Sequence, residues 1–258
     1  MRPKKAFTLI ELLVVISIIA LLIGILLPAL GAARKNANKM KNSTQTRSIV
    51  QAMMTHASSN KDFLPGRNRN GEIPHGDISF TTNLDGHNVQ SRYAIMLESQ
   101  LLDAPVLLSP ADANNVSWNS VIGDVDPKHY SYSLLDIEVT GVVGAPRQKK
   151  WGGGIVGSST PLVCDRLDVK GFTAGTPTTY KSVWSATNQN WVGSVAYGDA
   201  HTDFEDDPLL DSTRFSASSC SGINGAGDDL FHEETSPTSC ADGANARMVY
   251  RFKTDMGT

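Results

Sequence analysis

Phe7-Thr8-Leu9-Ile10-Glu11-Leu12-Leu13-Val14-Val15-Ile16-Ser17-Ile18-Ile19-Ala20 decides how the chain is read. From Leu12 to Ala33 no charged residue occurs, a run of 22. At ~1.5 Å per residue, a helix of that length covers about 33 Å, roughly the thickness of a bilayer's hydrocarbon core. Arg2, Lys4 and Lys5 precede the run and no acidic residue does. That asymmetry predicts a cytoplasmic N-terminus, with the bulk of the chain on the outer side.

A conventional signal peptide has an apolar core of about 7–15 residues and a small-residue cleavage site. Here the run is longer, and its small residues around Ala29 to Ala33 lie beyond Pro28. Neither a signal peptide nor a plain anchor accounts for Glu11. A carboxylate within an apolar helix costs on the order of 3 kcal/mol at the bilayer centre and less near the interface. In the first turn of a helix the backbone dipole favours it. Cleavage before Phe7 would create an α-amine four residues away, a partner for Glu11 in the same chain or in a neighbour. The bland alternative, that Glu11 marks the interfacial end of a signal anchor, stays open on this residue alone.

Taken together, Lys4-Lys5-Ala6-Phe7-Thr8-Leu9-Ile10-Glu11-Leu12-Leu13-Val14-Val15-Ile16 resembles the N-terminal signal of type IV pilins and type II secretion pseudopilins. The resemblance implies removal of a basic leader by prepilin peptidase between Ala6 and Phe7. It further implies N-methylation of Phe7 by the same enzyme, and a docking role for Glu11 in filament assembly. Pro28 stands where such proteins often have a helix-kinking proline. Ala6 departs from the Gly usual before the cut. The implied partners are prepilin peptidase, other pilin-like subunits, the membrane and an inner-membrane assembly platform. The implied location is a single pass of the inner membrane, with a periplasmic C-terminal domain, and then a pseudopilus or surface filament.

The expected layout is 1–6 leader, 7–30 transmembrane and assembly helix, 31–65 amphipathic continuation, and 66–258 extracytoplasmic domain. Ile49, Ala52, Met53 and His56 recur at helical spacing and predict a stripe that packs on that domain. Pro65 and Gly66 end the helix. The block from Arg47 to Pro65, ending in Asn60-Lys61-Asp62-Phe63-Leu64-Pro65, also resembles a large group of pilin-like proteins abundant in planctomycetes. Gly198-Asp199-Ala200-His201 resembles that group's Asp-Gly-His turn, with Ala200 in place of the Gly and Gln189 in place of an earlier His.

Beyond Gly66, Tyr93–Leu97 reads as a short helix. Tyr130–Leu135, Ile137–Val139, Pro161–Cys164, Val192–Tyr197 and Met248–Phe252 read as strands separated by Gly, Pro, Asn and Asp. The fold class is therefore α+β: a long helix, transmembrane in its first half and amphipathic in its second, on an antiparallel sheet with long loops. The apolar-poor stretch 206–246 predicts a loop-rich segment.

The formal net charge is −3, with 23 basic and 26 acidic residues, and no basic patch with interleaved aromatics occurs, so nucleic-acid binding finds no support. Cys164 reads as a small core residue. Cys220 and Cys240 bracket a poorly packed stretch, and a disulfide between them is expected outside the membrane, where it would add roughly 3 kcal/mol.

Asp199, His201, Asp203 and Glu205 alternate, which on one strand would put all four on one face, a weak candidate metal site; the plainer reading is a solvated tight turn between two strands, held by Asp199 bonding its own backbone. Calcium is the one ion the family resemblance suggests, although neither Asp228-Asp229 nor Glu233-Glu234 matches a calcium-loop motif. No cofactor is expected. Trp151-Gly152-Gly153-Gly154 lacks the Gly-Lys-Ser/Thr of a phosphate loop, and neither Gly-x-Ser-x-Gly nor HExxH occurs. The expectation is a structural filament subunit and not an enzyme. The competing reading is a membrane-anchored binding or enzymatic domain on a pilin-like anchor.

Overall fold

The computed structural model describes residues 9–66, 89–112, 115–119, 125–135, 157–158, 160–167, 172–173, 176–177, 181–185, 191–210, 228–231 and 248–249. Ala6, Phe7, Ile137–Val139, Gln189, Cys220, Cys240 and most of 206–246 lie outside the described residues. The chain divides into two compact units, Met1–Met40 and Lys41–Thr258.

Helix α1, Leu9–Ser59, contributes to both and carries Pro28 inside it. In the first unit the apolar residues from Leu9 to Leu30 are exposed. A Cβ added at Gly24 or Gly31 would meet nothing within 4 Å. The only internal polar side chain of the apolar run, Ser17, donates to the Val14 carbonyl at 2.8 Å, which removes most of the cost of placing a hydroxyl in hydrocarbon. The helix is long and apolar enough to cross a membrane. α1 is continuous through Pro28.

In the second unit α1 turns amphipathic, as its 3.6-residue pattern requires. Ile49, Val50, Ala52 and Met53 are buried, with His56 half-buried. The helix stops where Lys61 and Asp62 adopt left-handed φ values of 55° and 65°. The Asp62 amide closes the end on the Ala57 carbonyl at 2.9 Å.

Helix α2 spans Val89–Glu98. It is tied to the sheet by Tyr93, whose hydroxyl donates to the Tyr132 carbonyl at 3.1 Å, and by the fully buried Arg92, which donates to the Leu135 carbonyl at 2.7 Å. Two 3-10 turns follow, Ala104–Leu107 and Pro127–His129.

The strands are β1 Tyr132–Leu135, β2 Pro161–Asp165, β3 Phe172–Thr173, β4 Thr176–Pro177, β5 Gly193–Tyr197, β6 Thr202–Glu205, β7 Leu209–Leu210, β8 Asp228–Asp229 and β9 Met248–Val249. Five of them form one sheet in the order β6-β5-β2-β1-β9, and every pairing in it is antiparallel. β3 with β4 and β7 with β8 form separate two-stranded ladders. All positions of β1, β2 and β5 are buried. Because successive side chains alternate between faces, the middle of the sheet is covered on both sides. Thus the α+β layout holds, with the second part of α1 on an antiparallel sheet.

Cys164 is fully buried in β2, opposite Ser133 and Val195. Trp191, also fully buried, packs edge-on against Phe231 with ring centroids 5.4 Å apart.

Candidate functional site

Among the described residues, three places carry side chains whose chemistry exceeds packing. The first is the start of α1. Glu11 occupies its first turn, where unpaired backbone N–H groups and the dipole favour an anion. Ahead of it lie Ala6 and Phe7, the expected cleavage and methylation pair, outside the described residues.

The second is the β5–β6 turn. The four alternating residues do not share one strand: only Asp203 and Glu205 belong to β6, while Asp199 and His201 lie in the turn before it. The chain reverses there by placing Ala200 at φ 64°. Asp199 holds the turn, its Oδ1 accepting from the His201 amide at 3.0 Å and touching His201 Nδ1. These hydrogen bonds, backbone first, lower the Asp199 pKa. His201 Nε2 lies 3.6 Å from Asp203 Oδ2, and the ring stacks on Tyr197 at 4.3 Å and 7°. Two carboxylates and a tyrosine ring therefore fix one imidazole. Among the described residues no group of three or more His, Cys, Asp and Glu side chains is arranged to hold a metal ion.

The third was not anticipated from the sequence. It is a buried polar network centred on Asn42, whose four hydrogen-bonding positions are all used. Asn42 Nδ2 donates to Asp165 Oδ2 at 2.5 Å and to Ser194 Oγ at 3.0 Å. Its Oδ1 accepts from Ser109 Oγ at 2.8 Å and from Tyr132 Oη at 2.9 Å. Gln45 joins through Oε1 to Tyr132 at 3.2 Å, and through Nε2 to the carbonyls of Pro105 and Leu108 at 3.2 and 3.0 Å. A signal was present: 42, 45, 46, 49, 52, 53 and 56 continue one helical stripe. An apolarity scan starts it at Ile49 because its first positions are Asn42, Gln45 and Thr46.

Asp165, at the end of β2, is the network's only fully buried carboxylate at 0% exposure. Its Oδ2 also accepts from the Ser194 amide at 2.7 Å. Burial dominates and pushes its pKa up to about 7, against the hydrogen bonds from Ser194 and Asn42. The Trp184 indole is near enough to lower it a little, but neither Trp184 Nε1 nor Asp165 Oδ1 has a partner of hydrogen-bond geometry. Next to it, Asp112 is held by Arg166 Nη2 at 2.8 Å and by Ser131 Oγ at 2.9 Å. Burial likewise raises the pKa of Tyr132 and Cys164.

An exposed apolar helix with a carboxylate in its first turn continues into an amphipathic half packed on the domain, the arrangement expected from the N-terminal sequence. Agreeing with this, the family model described as the prokaryotic N-terminal methylation motif matches residues 1–27. The chain thus carries the prepilin-type methylation motif at its N-terminus. It is similar to the "Type IV wide pilus major component PilA4" of Thermus thermophilus, 66% identical over 38 residues, which are 15% of this chain and 29% of that protein. The chain thus matches less than a third of the relative's length. No solved structure matches.

Proposed function

We propose that the chain is a structural subunit of a type IV pilus-like or type II secretion pseudopilus filament. The observation that carries this reading is the methylation motif over residues 1–27 running into an exposed apolar helix with Glu11 in its first turn. Prepilin peptidase cuts between Ala6 and Phe7 and methylates the new N-terminus. The helix then holds the subunit in the inner membrane, its C-terminal domain periplasmic, until an assembly platform passes it into a filament of pilin-like subunits. The size of the 66–258 region relative to the helix favours a minor or surface-display subunit over a compact repeating one. The role is structural and not enzymatic.

Glu11 supplies the docking step. In hydrocarbon its carboxylate lacks water, and the α-amine of Phe7 on an adjacent subunit is the complementary charge. A pair about 4 Å apart at an effective dielectric of about 20 attracts by roughly 4 kcal/mol, and an unpaired carboxylate there is costly. Both effects draw an incoming subunit into register while its helix is still in the bilayer.

The test is to express Glu11→Leu beside wild type in the native host. The variant should reach normal membrane levels yet be lost from sheared surface filaments. Wild-type protein from those filaments should begin at a methylated Phe7. Incorporation of Glu11→Leu equal to wild type would remove the docking role and favour a plain anchored domain.

A further inference from the structure

The pilin-like reading makes no use of the buried network on the sheet. Asp165 is a carboxylate in the interior with an unusual set of partners. Both of its donors, Asn42 Nδ2 on α1 and the Ser194 amide on β5, aim at Oδ2. Oδ1 is buried and receives no hydrogen bond. Among the described residues no cation pairs with it, because its neighbour Arg166 is engaged by Asp112. A full negative charge here would leave one oxygen bare in a medium that solvates it poorly.

We propose that Asp165 and Asn42 form a proton-operated latch between α1 and the sheet, closed when Asp165 is neutral and loosened when it ionises. Protonation takes a proton from solvent onto Oδ1 and leaves Oδ2 as the carbonyl oxygen that accepts from Asn42 and Ser194. Ionisation returns the proton to solvent and places a charge between the helix and the central strand. Burial and charge around the carboxyl favour the neutral form. α1 and β5 present only the uncharged Asn42 and Ser194, whose donated hydrogen bonds favour the anion but bring no compensating positive charge. Asp112, from the segment after the first 3-10 turn, disfavours a second negative charge nearby. Tyr132 on β1 and Cys164 on β2 are held neutral by burial. The buried Trp184 indole N–H, without a partner of hydrogen-bond geometry, could turn to Oδ1 in the ionised state.

The sign follows from proton binding. The folded carboxyl titrates near 7 against an ordinary 3.8, so the folded state binds the proton more tightly. Stability from this group is complete below about pH 4 and is lost as pH rises to about 7. Three pH units correspond to a change of up to about a thousandfold in the ratio of folded to unfolded protein. His129 is fully buried, and that burial lowers its pKa, so its contribution to stability runs in the opposite direction with pH. The informative quantity is therefore the difference between wild type and Asp165→Asn.

Full-length protein in detergent is unfolded with urea from about pH 5 to about pH 8 and followed by tryptophan fluorescence. The unfolding midpoint of Asp165→Asn should gain on that of wild type as pH rises. Parallel profiles for the two proteins overturn the latch. Should Asp165→Asn not fold, NMR of isotope-labelled aspartate carboxyls in folded wild type decides. One carboxyl titrating near 7 supports the latch, and titration of every aspartate below about 5 overturns it.

Discussion

Gly193→Ala is the sharpest probe of how the site is built. Gly193 begins β5 opposite Glu205, and among the described glycines only Gly66 has a positive φ. No backbone conformation thus demands glycine at 193, and only space decides. An alanine Cβ there would lie 2.7 Å from Asp165 Cβ, 2.7 Å from Trp191 Cζ2 and 3.0 Å from Asp165 Oδ2. Neither neighbour yields easily. Asp165 Cβ is rigid to the β2 backbone, and the Trp191 indole is pinned by its own bond to the Asp165 carbonyl at 3.2 Å and by Phe231.

Replacing a strand glycine by alanine ordinarily gains about 0.5–1 kcal/mol through the unfolded chain. Overpacking a fixed core costs about 1–3 kcal/mol, and two immovable contacts place this case at the upper end. The net expectation is a loss of about 2 kcal/mol. With an urea dependence of about 2 kcal/mol/M, the midpoint should fall by about 1 M. Equilibrium urea unfolding of full-length protein in detergent, followed by tryptophan fluorescence, measures it. An unchanged or raised midpoint would refute the reasoning, because it would mean that β2 and β5 separate freely at this point.

Two further substitutions test the same architecture. Asn42→Ala removes all four hydrogen bonds of the network's central amide and strands Ser109 Oγ, while Tyr132 keeps Gln45. At about 1–3 kcal/mol for each stranded buried group, thermal unfolding should show a loss of roughly 3 kcal/mol. Ala200→Gly relieves a left-handed alanine at φ 64° and should raise stability by about 0.5–1 kcal/mol in the same assay, since only glycine adopts that conformation without strain.

Much of the molecule was legible in its sequence, for local reasons. A helix declares itself by a 3.6-residue period and a strand by a short apolar run between turn formers. Those patterns located α1, α2 and the cores of β1, β2 and β5, although α1 ends at Ser59, short of the expected breakers Pro65 and Gly66. The membrane-length run and the position of Glu11 were likewise decided by hydrophobicity, charge and helical rise alone. So was the N-terminal methylation motif, because it is a linear pattern and not a folded surface.

Other features needed the tertiary structure. The order β6-β5-β2-β1-β9 is a set of pairings between distant strands, and no periodicity names a strand's neighbour. The turn at Asp199 was legible as a turn, because an aspartate can bond its own backbone there, but only the tertiary structure stacks the His201 ring on Tyr197. Asn42 meets Asp165 across 123 residues and Ser194 across 152. Polar residues at the top of a helix ordinarily face water, so their burial here depends on what folds over them. Gly193 reads in sequence as a weak strand residue and becomes a spatial necessity only when β2 and Trp191 close on it. Sequence alone settled what repeats locally along the chain. Where the chain meets itself, the outcome depended on volume, burial and dielectric, and these exist only once distant segments have come together.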